Sequence, residues 1–184
     1  MAGCYNGDPE VKDGHQQGVD FSLHGPPFAI GEVGYRWNYR KDAPALPGFV
    51  EAALLRASIY VRLGKYAEAS KEFNYLVSIH PRSVTFARVL SDRAWFQTTC
   101  PNSSFRNGQQ AIRDAKAACS IMSWKDEDMI DTLAAAYAEA GDFDSAVRYA
   151  AQALAVKGIS SEDAKVFREH LAWFQQRKPI PVSQ

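Results

Sequence analysis

The sequence has no excess charge of either sign and few cysteines. Its 21 lysines and arginines balance 21 aspartates and glutamates, and it contains three cysteines in 184 residues. A neutral balance disfavours a nucleic acid bound through its phosphates. Three cysteines form no disulfide framework, and we expect Cys100 and Cys119 to lie about 18 Å apart, too far for a bridge. Since no run reaches the roughly 18 apolar residues of a membrane-spanning helix, the composition indicates a globular domain with one core.

Motifs of catalysis and metal binding are also scarce. The four histidines lack H-x3-H spacing, and the sequence contains no C-x2-C pair, phosphate-binding glycine loop or G-x-S-x-G turn. The acids Asp126, Glu127, Asp128 and Asp131 could form a metal site, but acids at the start of a helix are favoured by the helix dipole. His170 lies on an apolar stripe, where a histidine is more often a satisfied core residue than a ligand. We therefore expect a protein that is not an enzyme and has no metal or cofactor.

The most informative pattern is a repeat. Six small or aromatic positions recur at one shared offset of 77 residues, as from Gly64 to Gly141. The first copy is Ala57, Tyr60, Gly64, Tyr66, Ala69 and Phe73, and the second is Ala134, Tyr137, Gly141, Phe143, Ala146 and Ala150. Self-similarity at a fixed period is typical of a solenoid. In each copy we expect the glycine to end a first helix and the alanines to lie where two helix backbones approach closely.

The 77-residue step leaves room for a middle copy. Residues 92–96 supply its first helix, and Ala111 and Ala115 supply the small-residue spacing of its second. The turn between them, around Pro101, is longer than in the other copies. Proline cannot continue a helix, and the asparagine and serines that follow it favour turns.

A last helix is predicted to cover the end of the solenoid. Ser160, with Asp163 three residues later, suits a capping box at a helix start. One helical stripe follows, made of Val166, Phe167, His170, Leu171 and Phe174. A solenoid needs such a helix to cover its last apolar face, and Pro179 and Pro181 end it.

The repeat region resembles a tetratricopeptide repeat (TPR) domain from about residue 50 to 177. The likeness is carried by LGKYAEA at residues 63–69, AGDFDSA at 140–146 and the proline after His80. Departures are Ala53, Arg56 and Ile130 in place of the family's tryptophan and leucine, and Gln97 in place of its tyrosine. More narrowly, TCP at 99–101, AKAAC at 115–119, SWKD at 123–126 and DTLAAAYAEAGDF at 131–143 resemble a TPR module of planctomycete-type bacteria.

The first 48 residues show a different period. Apolar and polar residues alternate over residues 19–23 and 33–39, with a Gly-Pro-Pro break between them, which indicates a β-hairpin of about 20 residues or an irregular segment. The motifs YNGDP at 5–9, GVDFSL at 18–23, PFAIGEVGYR at 27–36 and LPG at 46–48 resemble the bacterial carbohydrate-selective porins, outer-membrane barrels for sugar uptake. Such a barrel needs about eight strands or more, so this resemblance implies a fused or fragmentary gene product without a complete barrel.

The predicted fold is all-α over residues 49–177, with three TPR helix–turn–helix repeats and a C-terminal capping helix. Residues 1–48 precede it as a porin-like segment, and residues 178–184 follow as a tail. No secretory leader is recognisable, so we expect a cytoplasmic protein, or an outer-membrane location only if the porin-like segment belongs to a longer product.

The TPR resemblance implies a non-catalytic scaffold for protein–protein interaction. Its first helices would line a concave groove that receives a peptide or a helix of another protein, with no nucleic acid and no membrane bound by the TPR part. The groove residues predicted by repeat geometry are Ser58, Arg62, Arg88, Ser91, Trp95, Asp131, Ala135 and Glu139. Trp95 is the expected anchor, flanked by Arg62 and Arg88, unless it packs against a neighbouring helix. The alternative function is carbohydrate transport by a longer porin from which the chain derives.

Overall fold

Every regular element of the described chain is helical. The computed structural model describes residues 47–79 and 84–182. In chain order the α-helices are α1 Pro47–Arg62, α2 Tyr66–Ile79, α3 Val84–Thr99, α4 Gly108–Ile121, α5 Glu127–Glu139, α6 Phe143–Leu154 and α7 Ser161–Gln175. A short 3-10 helix, Ser103–Phe105, lies between α3 and α4. The all-α prediction is confirmed for the described residues of 49–177. The hairpin and porin-like predictions concern residues 1–48, of which residues 1–46 lie outside the described residues and residues 47 and 48 belong to α1.

The helices pack in consecutive pairs. α1 packs on α2, α3 on α4, α5 on α6, and α7 on α6. The odd-numbered helices also contact one another, α1 with α3, α3 with α5, and α5 with α7. They form one continuous layer, whose outer surface we call the odd-helix face. None of the helices in the described ranges is long and apolar enough to cross a lipid bilayer.

The turns that end α1 and α5 have the same geometry. Gly64 has φ +70° and Gly141 has φ +84°, a left-handed conformation that glycine adopts without a steric penalty. In both turns the N–H of the next residue donates to a carbonyl five residues back, at 2.8 Å and 2.9 Å. This bond satisfies a carbonyl that the end of a helix otherwise leaves unpaired. The shared offset in the sequence therefore corresponds to a repeated backbone structure.

The recurring alanines are fully buried, as their spacing predicts. Ala57 and Ala69 lie in a core that α1, α2 and α3 share with Phe73, Leu76 and Phe96. Ala134 and Ala146 lie in a second core, which Phe174 of α7 completes. A central core joins α3, α4 and α5 to α6 and α7, and its large members include Leu90, Ile130, Leu133 and Phe167. The apolar residues are thus buried between adjacent elements along the whole stack.

Side-chain caps fix the starts of the later helices. Asp126 begins α5 by accepting a hydrogen bond from the Met129 N–H at 3.0 Å, so one member of the acidic run is a helix cap. At the start of α7 the Ser160 hydroxyl oxygen accepts from the Asp163 N–H at 3.0 Å and donates to the Asp163 carboxylate at 2.6 Å. The predicted start of the last helix is therefore confirmed. Such caps satisfy N–H groups that have no partner within the helix.

A buried ion pair that the sequence does not predict joins α3 to α4. The Arg93 guanidinium donates two parallel hydrogen bonds to Asp114, each 2.8 Å long. Its third nitrogen donates to Asn74 of α2 at 3.0 Å, and Gln110 donates to the same carboxylate at 2.9 Å. Arg93 thus binds Asp114 in a fixed bidentate geometry and uses its third nitrogen for Asn74. The network therefore connects α2, α3 and α4.

The start of α4 lies directly against the end of α5. A β-carbon built at Gly108 would lie 2.7 Å from the Ala140 backbone nitrogen, closer than van der Waals radii allow. Glycine is therefore needed here for a close approach of two backbones, rather than for a left-handed turn.

Candidate functional site

A cavity of about 430 Å³ opens on the odd-helix face between α3, α5 and α7. Five carboxylates line it: Asp92, Asp126, Asp128, Asp131 and Asp163. The cationic or titratable bases in its wall are Arg88 and His170, and its largest aromatic ring is that of Trp95. We call this site the acidic cavity. Three helices from three different parts of the chain supply its walls.

The deepest polar contact of the acidic cavity is a pair between α5 and α7. Asp131 and His170 are both buried, and the Asp131 Oδ2 atom lies 2.6 Å from the His170 Nδ1 atom. Burial raises the pKa of the Asp131 carboxyl, and the hydrogen bond from His170 opposes that rise. The other carboxylate oxygen, Asp131 Oδ1, is buried and has no hydrogen-bond partner among the described residues. His170 is thus a hydrogen-bonded core histidine, as its position on the stripe predicts.

Trp95 borders the acidic cavity next to this pair. Its side chain keeps 37% of its surface exposed, and its ring centroid lies 6.0 Å from that of His170. His170 in turn stacks on Trp173 at 5.6 Å and touches Phe167 and Phe174. The indole is therefore supported on one side by α7 and accessible on the other.

Negative charge in the acidic cavity is only partly compensated. Asp128 is exposed, but partial desolvation raises the pKa of its carboxyl, and repulsion from Asp126 and Asp163, together with the acids of its own helix, raises it further. Burial also raises the pKa of Asp92, although Arg88 lies 3.3 Å away and lowers it. Within residues 47–79 and 84–182, the structure brings no three His, Cys, Asp or Glu side chains together as metal ligands. The carboxylates are arranged around a space that is larger than an ion.

A second cavity of about 410 Å³ lies beside the first, between α1 and α3. Arg88 and Asp92 line both cavities, so their ion pair forms the wall between them. The apolar part of the second cavity includes Leu55 and Val84, which are among the most exposed large hydrophobic residues described. The odd-helix face therefore carries two adjoining cavities, one with an apolar part and one acidic.

Five of the eight predicted groove residues line at least one of the two cavities. Arg88, Ser91, Trp95 and Asp131 line the acidic cavity, and Ser58 lines the second cavity.

The other three predicted residues, Arg62, Ala135 and Glu139, line neither cavity. Arg62 is exposed in the last turn of α1. Ala135 is fully buried in the core that α5, α6 and α7 share, so it offers no surface to a ligand. Glu139 forms an ion pair with Arg106 at 3.2 Å. The repeat register therefore predicted too long a surface on α5: the acidic cavity is lined by the first half of α5 and does not extend to its end.

Of the five carboxylates that line the acidic cavity, only Asp131 is among the predicted groove residues. Asp126 and Asp128 were recognised only as acids at a helix start, and Asp92 and Asp163 were not considered as binding residues. Asp92 follows Arg88 by four positions and pairs with it along α3. Asp163 is recognisable in the sequence only as part of a helix cap. Neither local pattern reveals that the two side chains meet at one cavity, because that depends on how α3 and α7 pack against α5.

The described cysteines do not supply a reactive thiol. Cys100 and Cys119 are free and buried, in agreement with the prediction that they form no bridge. Burial, with a smaller contribution from Asp126, raises the pKa of the Cys119 thiol to about 12. A thiol with that pKa is almost entirely protonated near neutral pH and is a poor nucleophile.

The chemistry of the acidic cavity is that of a binding site for a positive or hydrogen-bond-donating group. Carboxylate oxygens accept hydrogen bonds, and the face of an indole attracts a cation.

No protein-family model and no curated protein matches this chain.

Proposed function

We propose that the chain is a non-catalytic scaffold that binds a peptide or helix of another protein on the odd-helix face. In this proposal α1–α2, α3–α4 and α5–α6 are three TPR-type repeats, and α7 is the capping helix. The repeated glycine turns of α1 and α5 and the buried alanines of both copies support it. Stacked helix pairs of this kind present one layer of helices as an extended binding surface.

The observation that carries the proposal is the pair of adjoining cavities on the odd-helix face. They share the wall formed by Arg88 and Asp92 and together extend over α1, α3, α5 and α7. A bound segment would place apolar side chains between α1 and α3 and polar ones in the acidic cavity. The half-exposed Trp95, supported from behind by His170, is suited to anchor such a segment, since tryptophans in pockets often dominate binding energy.

The charge of the site supports a protein partner over a nucleic acid. Five aspartates line the acidic cavity, and carboxylates repel phosphate groups. Proteins that bind nucleic acids through the backbone present lysines and arginines instead. We therefore propose a protein or peptide ligand.

Selection from a random peptide library tests this function. Peptides displayed on phage are selected on the immobilised full-length chain, and their affinities are then measured for the parent and for two tryptophan variants. We expect Trp95→Ala to weaken the selected peptides by about tenfold or more, the loss of a hot-spot residue. Trp124→Ala is the matched control, because Trp124 is 39% exposed, stacks on Tyr149 and lines neither cavity.

Two results would contradict the proposed function. One is that the selection enriches no peptide that binds in solution. The other is that the selected peptides bind Trp95→Ala as tightly as they bind the parent chain while Trp124→Ala weakens them.

A further inference from the structure

We propose that the acidic cavity recognises a basic side chain, a lysine or an arginine, of the bound segment. This inference rests on the proposed function and specifies the chemistry of its ligand. The occupant is a basic peptide segment whose cationic group enters between α3, α5 and α7.

The first support is charge complementarity. The two basic groups in the wall are already engaged, Arg88 by Asp92 at 3.3 Å and His170 by Asp131 at 2.6 Å. The three remaining carboxylates, those of Asp126, Asp128 and Asp163, form no ion pair with any residue in the described part of the chain. Their charges face one cavity, and a cation placed there would relieve their mutual repulsion.

The second support is the buried oxygen of Asp131. Asp131 lines the cavity, its side chain is almost completely buried, and its Oδ1 atom accepts no hydrogen bond from any described residue. Buried carboxylate oxygens are nearly always paired, because leaving one without a donor is costly. A cation in the cavity would offset the negative charge of this carboxylate.

The third support is the apolar part of the wall. Trp95, Met129, Val166 and Phe167 line the cavity together with the acids. A lysine or arginine has an apolar stem below its charge, which packs on such surfaces, and its charged end is attracted to the face of an indole. A bare metal ion would use neither the apolar wall nor the indole, and the described residues offer no convergent set of three metal ligands. The mixture of acids and aromatics therefore favours an organic cation with a stem.

Four peptide pools test the inference. The pools are capped, fluorescently labelled nonapeptides with random flanks and one fixed central residue, which is Arg, Lys, Gln or Glu. Binding to the full-length chain is measured by fluorescence anisotropy. We expect the Arg and Lys pools to bind at least about tenfold more tightly than the Gln pool, and the Glu pool to bind most weakly. Raising the salt concentration should reduce the difference, since salt screens the carboxylates.

Matched variants locate the effect in the cavity. Asp128→Asn should weaken the Arg and Lys pools about three- to tenfold and leave the Gln pool unchanged. Glu127→Gln is the control, because Glu127 occupies the same first turn of α5 and does not line the cavity. Circular dichroism spectra that match the parent establish that both variants are folded.

The outcomes separate this inference from the proposed function. If the Gln or Glu pool binds as tightly as the Arg pool, and Trp95→Ala abolishes that binding, the scaffold function stands and the basic anchor is wrong. If Asp128→Asn and Glu127→Gln weaken the Arg pool equally, the acidic cavity is not its site. If none of the four pools binds, the basic anchor is also wrong, and the phage selection decides the scaffold function independently.

Discussion

Asp128 illustrates at the scale of a residue what the acidic cavity costs the fold. Its position in the first turn of α5 is favourable, because an acid there interacts with the positive end of the helix dipole. Its position among other acids is unfavourable, because partial desolvation and repulsion raise its pKa. Because the Asp128 side chain is exposed, solvent screens this repulsion, and its cost to the folded state is small.

We predict that Asp128→Asn melts at a higher temperature than Glu127→Gln at pH 7. Both variants lose a dipole interaction of about 0.3–1 kcal/mol, but only the first removes the carboxylate whose pKa is raised. Because the folded chain binds that proton more tightly than the unfolded chain, stability falls as the pH rises from about 3.9, the unfolded value, through the raised folded pKa. Thermal melting between pH 3.5 and 7 measures the effect.

The pH series also contains the internal control. The melting temperature of Asp128→Asn minus that of the parent should be largest at pH 7 and should shrink on acidification, as Asp128 of the parent gains its proton. A difference that stays constant across this range would show that Asp128 is not repelled in the folded state.

At the scale of the element, the starts and ends of helices were predictable from the sequence, whereas the tertiary contacts were not. Gly64, Gly141 and Ser160 act within a few residues of chain, so their turns and caps are visible in a single sequence. The ion pair between Arg93 and Asp114 spans 21 residues and depends on how α3 packs against α4. The acidic cavity was only half predictable for the same reason: α3 and α5 were recognised as its walls, but α7 was expected only to cover the end of the stack.

The contact between α5 and α6 gives the prediction at this scale. Ala146 is fully buried in the core between these helices and α7, so Ala146→Leu should overpack that core and destabilise the protein by about 1–3 kcal/mol. Ala151→Leu is the control, because Ala151 lies on the same helix and is exposed. Urea denaturation compares the two variants, and equal midpoints would show that α6 does not pack through Ala146.

At the scale of the whole molecule, the described helices bury their apolar residues against one another. The three cores consist of residues from Phe49 to Ile180 and involve every α-helix. The last of these cores depends on α7, whose Phe174 is fully buried and whose His170 pairs with the buried Asp131. The two ends of the helical stack are therefore expected to respond differently to truncation.

We predict that a chain starting at Ala45 keeps its helical circular dichroism and melts cooperatively. A chain ending at Gly158, which lacks α7, should lose cooperative melting, because it exposes the apolar face of α6 and leaves the Asp131 carboxylate without His170. Circular dichroism melts of both truncated chains make the comparison. Loss of cooperativity in the first chain would show that residues 45–184 do not fold on their own. Retention of cooperativity in the second would contradict the assignment of α7 as an integral part of the fold.

The close approach of Gly108 to Ala140 has a consequence for the curvature of the stack. The second helix pair, α3–α4, and the third, α5–α6, meet there with no space for a side chain. This contact therefore limits how the third pair can be oriented against the second. A methyl group would have to push the end of α5 away from the start of α4. If the acidic cavity binds arginine-centred peptides as proposed, we expect Gly108→Ala to weaken that binding in fluorescence anisotropy, although Gly108 does not line the cavity. A glycine outside the binding site would then influence ligand affinity through the packing of two helix pairs.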